Sequence, residues 1–204
     1  VPEEDSRSSG YLDVVLSESR RLSRLIGNVL TFAEQQRDMK KFSPAEEIPD
    51  RIVAAVVDNF MPAIKAKQID VKLDLHADRS VMIDRDMVEQ IVSNLISNVE
   101  KYAASGKYLG IQTEFQGGYT VIFVADKGPG IPKALENKVF SPFFRIINKT
   151  TDGISGTGIG LSIVRSLAER HGGTAEVISE GRGTVIRIVL KTPEGPRNRD
   201  GGEE

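Results

Sequence analysis

Four polar side chains, Asn94, Asn98, Lys101 and Tyr102, recur along one helical segment that runs from Asp84 to about Ala104. At ~100° per residue, spacings of four and three bring the two amides and the lysine to one helix face. Ile91, Val92, Leu95 and Val99 continue round from them as an apolar stripe. The polar residues therefore fall at the edge of a buried surface, where a helix lines a cleft. Amide oxygens are hard ligands suited to Mg²⁺, which takes few protein ligands and keeps phosphates and water. An ammonium such as that of Lys101 can meet a phosphate. A carboxamide stripe beside an apolar face is costly unless it binds something, and a magnesium nucleotide is the obvious candidate. Read alone, the segment fits a solvated helix edge equally well.

Two glycine-rich loops lie downstream, Asp126-Lys-Gly-Pro-Gly-Ile131 and Gly156-Thr-Gly-Ile-Gly-Leu161. Asp126 ends an alternating strand. Its carboxylate can accept a hydrogen bond from an exocyclic amine such as adenine N6, although Asp before a glycine turn is more often an Asx-type turn residue. The second loop opens a helix, where glycine N–H groups and the helix N-terminus favour an anion. Its Gly-x-Gly-x-Gly spacing differs from the dinucleotide-binding fingerprint, and no P-loop pattern is present. Phe140, Phe143 and Phe144 cluster before a stretch with little periodicity, residues 146–155. Arg145 beside them is suited to clamping a γ-phosphate. Of the two histidines, His171 reads as a helix-end residue and His76 as an exposed residue after a strand; neither is assigned a catalytic role.

The elements that must position these residues follow from periodicity. Residues 1–10 are polar and read as a frayed N-terminus. Tyr11 to Arg37 is one long amphipathic helix, with Val15, Leu22, Leu25, Val29 and Phe32 on its stripe. Residues 38–42 are a polar linker. Ser43-Pro-Ala-Glu46 reads as an N-cap, a first-turn proline and a capping-box glutamate that open a helix to about Lys65. Ile69–Leu75 is a strand with one buried face, and Ser80–Ile83 a second, short one. Asp84 caps the long helix, with Gly106 as its terminator. Hairpins are expected over 108–115 and 119–125 across Gly117-Gly118, and over 174–179 and 184–191 around residues 180–183, with a helix at 160–170 between them. Residues 193–204 read as a disordered tail. This order gives an α+β, two-layer sandwich with helices on one face of an antiparallel-rich sheet, preceded by the long amphipathic helix.

Composition narrows the function classes. A formal net charge of -2 argues against a nucleic-acid binder. No apolar run is long enough to span a membrane, and no secretory leader is visible at Val1. With no cysteine and two histidines, thiolate and multi-histidine metal sites are excluded.

The order and spacing of these pieces resemble the catalytic and ATP-binding domain of sensor histidine kinases, within the ATPase superfamily shared with gyrase B, Hsp90 and MutL. Asn94-Leu-Ile-Ser-Asn98-Val-Glu-Lys101-Tyr102 resembles the N box. Asp126-Lys-Gly128-Pro-Gly130-Ile131 resembles the first glycine box and Phe140-Ser-Pro-Phe-Phe-Arg145 the F box. Gly156-Thr157-Gly158-Ile-Gly160-Leu161 resembles the second glycine box, and the likeness runs on through His171-Gly-Gly173 and Gly183-Thr184. It covers about residues 43–192.

The resemblance implies a Bergerat-type ATP-binding fold, with ATP and Mg²⁺ as cofactors. It implies that Asn98 holds Mg²⁺ with Asn94 beside it, and that Lys101 and Tyr102 contact phosphate or ribose. Asp126 would bind adenine N6 in a pocket shaped by Gly128, Gly130, Ile131 and Thr184. Gly156, Thr157, Gly158, Gly160 and Leu161 would cradle phosphates under a lid at 146–155, with Arg145 acting on the γ-phosphate. Hydrolysing relatives carry a glutamate at position 94. Asn94 cannot serve as a general base, which favours phosphoryl transfer.

Residues 11–37 resemble the second helix of the dimerisation and phosphoacceptor hairpin, whose first helix and acceptor histidine are not found in this sequence. The resemblance therefore implies a homodimer through 11–37 in a longer, cytoplasmically placed parent, a response-regulator receiver domain as partner, and a fragment that does not phosphorylate itself. Two other readings share the boxes. One is a serine kinase of the anti-sigma-factor type, which lacks a dimerisation helix at 11–37. The other is a nucleotide-gated dimerisation module without turnover.

Overall fold

The chain divides into two units, Val1–Lys40 and Lys41–Glu204. The computed structural model describes residues 42–146, 157–179 and 182–194. The expected helix at 11–37, the expected lid at 146–155 apart from Ile146, Gly156 and residues 195–204 lie outside the described residues.

Local sequence sets each element. β1 (Ala45–Glu47) precedes α1 (Pro49–Ala66). This corrects the helix start read at Ser43. Residues 45–47 instead find backbone partners in β3 (Val81–Ile83), which runs antiparallel to them with Ala45 opposite Ile83. The first-turn proline is Pro49, after Ile48, which makes no side-chain cap. Ser43 donates its backbone N–H to Asp84 Oδ2 at 2.8 Å. Ile52, Val53, Val56, Val57 and Ile64 form the buried stripe of α1.

Asp84 caps α2 (Arg85–Asn98) by accepting the Met87 N–H on Oδ1 at 3.1 Å. Met87, Val88, Ile91, Val92, Leu95 and Ile96 are buried beneath it. Past Asn98 the helix widens into a π turn, Val99–Ala103, and then tightens into a 3₁₀ turn, Ala104–Gly106. The left-handed residue that ends it is Lys107, with φ 51°, and not Gly106. Gly106 is needed for another reason: a Cβ there would sit 2.3 Å from the carbonyl carbon of Lys127.

The main sheet has five strands in the order β2-β4-β5-β7-β6. These are β2 (Asp70–His76), β4 (Tyr108–Gln116), β5 (Tyr119–Asp126), β6 (Thr174–Val177) and β7 (Val185–Lys191). Three pairings are antiparallel, and β2 runs parallel to β4 with Asp70 opposite Tyr108. Every second residue of the central strands (Leu109, Ile111, Ile122, Val124, Ile186, Ile188, Leu190) is buried. Each such side chain contributes roughly 1.5–3 kcal/mol by leaving water. The alternate positions carry polar pairs, such as Arg187 bonded to Glu176 at 2.6 Å. α2 packs against both α1 and α3 (Gly160–Arg170), giving the two-layer α+β arrangement. Order extends past β7 into the segment read as tail, since Pro193 accepts the Met82 N–H at 2.9 Å and Glu194 bridges Val81. Among the described residues, no helix is long and apolar enough to cross a membrane.

Candidate functional site

A cavity of about 160 Å³ opens between the end of α2, the end of β5 and the start of α3. Its position follows from the fold. Asp126 is the last residue of β5, Asn98 the last of α2, and Gly160 the first of α3. Ten residues that the sequence singles out line it: Asn98, Tyr102, Asp126, Gly130, Ile131, Arg145, Gly158, Gly160, Leu161 and Thr184.

Asp126 is the best-defined polar group of the cavity. Its Oδ1 accepts the backbone N–H of Gly128 at 2.7 Å and that of Thr184 at 3.2 Å. Its own N–H donates to the Thr184 carbonyl at 2.8 Å, so β5 and the entry to β7 hold the residue from both sides. Desolvation pushes its carboxyl pKa up, opposed by the Gly128 and Thr184 N–H groups and then by the Thr184 hydroxyl. A part-buried carboxylate held by backbone donors is a fixed acceptor for a ligand N–H. Gly128 itself lies behind the carboxylate, where a Cβ would meet Ala103 Cβ at 2.6 Å.

The amide pair faces the start of α3. A Cβ built on Gly160 would lie 3.2 Å from Asn94 Oδ1 and 3.7 Å from Asn98 Oδ1. Asn94 Nδ2 donates to the Gln90 carbonyl at 2.9 Å, which turns its oxygen toward that helix end. Two hard oxygen donors therefore lie beside the positive end of a helix dipole. Among the described residues no group of three or more His, Cys, Asp or Glu side chains could hold a metal by itself.

The π turn separates the other two members of the stripe. Tyr102 lines the cavity with Ala103, whereas Lys101 is exposed and does not line it. The regular helical step from Asn98 fails here because the wider turn alters the rotation per residue. Asn94, Gly128 and Thr157 also stand outside the lining, and Gly156 is outside the described residues.

Sequence reasoning missed the apolar wall. Leu95, Val99, Val124, Val139, Phe144, Ile146 and Ile186 line the cavity. Leu95, Val99, Val124 and Ile186 read as ordinary core from periodicity, whereas Phe144 belongs to the phenylalanine cluster and Ile146 opens the stretch with little periodicity. The available signal was their placement one to six residues from a polar lining residue. Phe140 is buried, with the Arg165 guanidinium 4.1 Å above its ring. Phe143 adopts a φ of 64° and its carbonyl carbon would lie 2.9 Å from a Cβ on Gly158, so the turn before Arg145 packs on the glycine loop.

Comparison with known proteins bears on this arrangement. Residues 83–194 match the family model described as histidine kinase-, DNA gyrase B-, and HSP90-like ATPase. The sensor protein SrrB of Staphylococcus aureus (strain N315) is 32% identical over 188 residues, which cover 90% of this chain and 32% of SrrB. The chain thus spans about a third of the length of the curated relatives it matches. The catalytic domain of histidine kinase ThkA is similar in structure, with a TM-score of 0.63 at 29% identity over 73% of this chain and 95% of that one. Full-length ShkA in complex with AMPPNP shares the fold, with a TM-score of 0.71 at 24% identity over 92% of this chain and 39% of that one.

Proposed function

This chain belongs to the histidine kinase-, DNA gyrase B- and HSP90-like ATPase family, and on that premise we propose that it is the ATP-binding catalytic part of a two-component sensor histidine kinase. The observation that carries the reading is Asp126, a part-buried carboxylate fixed by two backbone donors at the edge of an apolar cavity. In this reading Asp126 accepts from the adenine N6 amine. Val99, Ala103, Ile131 and Ile186 enclose the ring, and Gly128, Gly130 and Thr184 shape the pocket around Asp126. Tyr102 meets the ribose or phosphates. Gly156, Thr157, Gly158, Gly160 and Leu161 cradle the phosphates at the start of α3.

The donor set fits Mg²⁺. Asn98, with Asn94 beside it, offers carboxamide oxygens, and a magnesium ion bound mainly through nucleotide phosphates needs few protein ligands. When bound, the ion supplies charge neutralisation on the phosphates. Arg145 lines the cavity and would clamp the γ-phosphate. Lys101 is assigned a phosphate contact, and its exposure would require the substrate to approach it.

Asn94 lacks a titratable base, so transfer to a protein nucleophile is favoured over activation of water. The chain's own histidines are unsuited as acceptors. His171 is buried, and His76 sits on an edge strand bonded to Asp74 at 2.8 Å. The nucleophile is therefore a histidine outside this chain, on a dimerisation hairpin to which residues 11–37 would contribute the second helix. The domain boundaries proposed are 11–42 for that helix and linker and 43–192 for the catalytic domain. ThkA has been solved in complex with the response regulator protein TrrA, and a receiver domain is proposed as the downstream partner here too.

The test has two parts. Calorimetry with a non-hydrolysable ATP analogue should show Mg²⁺-sensitive binding to the chain, weakened by about 10- to 100-fold in Asp126→Asn. Phosphate should then pass from ATP to a separately supplied acceptor hairpin. Absence of analogue binding to the unaltered chain would refute the reading. Binding without any transfer would leave the module without turnover as the better description.

A further inference from the structure

The π turn that carries Tyr102 and Ala103 to the cavity is held from outside by a residue of another helix. Lys67, the residue that caps the C-terminus of α1, donates from Nζ to the backbone carbonyl of Glu100 at 2.9 Å. The same Nζ lies 3.0 Å from Glu100 Oε1. One ammonium therefore grips both the main chain and the side chain of the second residue of the turn. Lys107 Nζ in turn bonds the Lys67 carbonyl, so the residue that ends the following 3₁₀ turn ties back to the end of α1.

The physical case rests on what a π turn requires. Its i→i+5 pattern is less regular than the α ladder and leaves main-chain carbonyls in need of partners. The C-terminal end of a long helix also carries partial negative charge that a cation offsets. Lys67 meets both needs at once. The turn then determines three features of the cavity: Tyr102 and Ala103 form part of its wall, Lys101 points to solvent, and Ala103 backs Gly128, whose N–H holds Asp126.

We propose that Lys67 is a positioning residue for the nucleotide site, acting through its grip on Glu100 to hold the π turn in the register that presents Tyr102 and Ala103 to the base and ribose. This rests on the reading of the cavity as an ATP site. Lys67 and Glu100 both stand outside the lining, and the Lys67 side chain is 40% exposed. Its removal should therefore affect affinity more than stability, since an exposed ion pair contributes little to folding.

The experiment compares the full 204-residue chain with its Lys67→Met, Lys67→Arg and Arg85→Met variants. Arg85→Met breaks a surface pair of similar exposure, Arg85–Glu89, away from the cavity. Calorimetry with the ATP analogue and Mg²⁺ is run beside urea unfolding. Lys67→Met should weaken binding about fivefold with a nearly unchanged urea midpoint. Lys67→Arg should restore most of the affinity, and Arg85→Met should leave it alone. Equal affinity in Lys67→Met and the unaltered chain would overturn the positioning role by itself, as would a loss that tracks the urea midpoint or is shared by Arg85→Met. A chain that binds no analogue in any form would overturn both this inference and the ATP-site reading.

Discussion

The backbone N–H of Asp84 donates to Nε2 of His171 at 3.1 Å, tying the cap that starts α2 to the residue that ends α3. Both helices border the cavity, so this bond helps fix their relation. It also fixes the imidazole tautomer: Nε2 accepts, so the proton sits on Nδ1. That nitrogen is buried and has no hydrogen-bond partner among the described residues. The Phe42 ring meets the imidazole edge-on at 4.9 Å, closing the site from the linker side.

The charged imidazolium is therefore disfavoured in the fold. Desolvation lowers the His171 pKa, opposed by the Asp84 carboxylate and by the Leu167 carbonyl and reinforced by Arg170. A histidine with a depressed folded pKa contributes stability that is present above its unfolded value of about 6.5 and is lost as pH falls toward the folded value. Urea unfolding should show declining stability below that pH. His171→Leu should lose about 1–3 kcal/mol at neutral pH, because the Asp84 N–H loses its acceptor, and its stability should vary less with pH over this window. Parallel pH profiles for the two proteins would contradict the assignment.

Asp126 shifts in the opposite sense. Burial raises its pKa above the usual carboxylate value of about 3.9, so its contribution to stability is full below that value and is lost as pH rises through the folded pKa. At neutral pH the ionised group is a net cost to the empty domain. Asp126→Asn keeps an oxygen for the Gly128 and Thr184 donors and removes the charge. It should leave the melting temperature unchanged or raise it, while analogue binding falls by about 10- to 100-fold with the loss of a charged acceptor. A melt lowered in step with affinity would show that the carboxylate is a structural brace.

Two glycines separate strain from positioning. A Cβ on Gly128 would meet Ala103 Cβ at 2.6 Å and Cα at 2.7 Å, and the π turn would have to yield. Gly128→Ala should cost about 1–3 kcal/mol of stability through overpacking and should also weaken analogue binding. Gly117 has a φ of 60° in open space at the β4–β5 turn. Gly117→Ala should cost about 1–2 kcal/mol from left-handed strain alone and leave affinity as it was. Thermal melts and calorimetry on the pair check this directly.

What the sequence revealed depended on how local the cause was. Asp84 as N-cap, the apolar stripe of α2 and the β4–β5 hairpin across Gly117-Gly118 follow from neighbours within a turn or two, and they stand as read. The polar lining also follows from local motifs: Asn98 from its helix face, Asp126 from a strand end and Gly160 from a helix start. The errors have distant causes. Residues 45–47 became a strand because Val81–Ile83, far along the chain, offered backbone partners. The partner of β2, on which the sequence reading is silent, is set at a distance too: β2 pairs parallel with β4, so that α2 lies in the connection between them. The π turn at 99–103, whose Glu100 carbonyl accepts from Lys67 33 positions earlier, breaks the ~100° helical step that set Lys101 on the face of the amides.

The amide pair makes the final prediction. Asn94 Oδ1 lies nearer than Asn98 Oδ1 to the start of α3, yet only Asn98 lines the cavity. Asn94 is also committed through Nδ2 to the Gln90 carbonyl. Asn98 is thus the freer of the two to ligate Mg²⁺, with Asn94 orienting beside it. Asn98→Ala should weaken analogue binding about tenfold in Mg²⁺, the effect of one lost oxygen ligand and its ordering. In EDTA the same variant and the unaltered chain should bind alike. Asn94→Ala should show a smaller Mg²⁺-dependent loss. Titrations of both variants with and without the metal decide the matter, and an Asn98→Ala loss of equal size in EDTA would mean that the amide contacts the nucleotide itself.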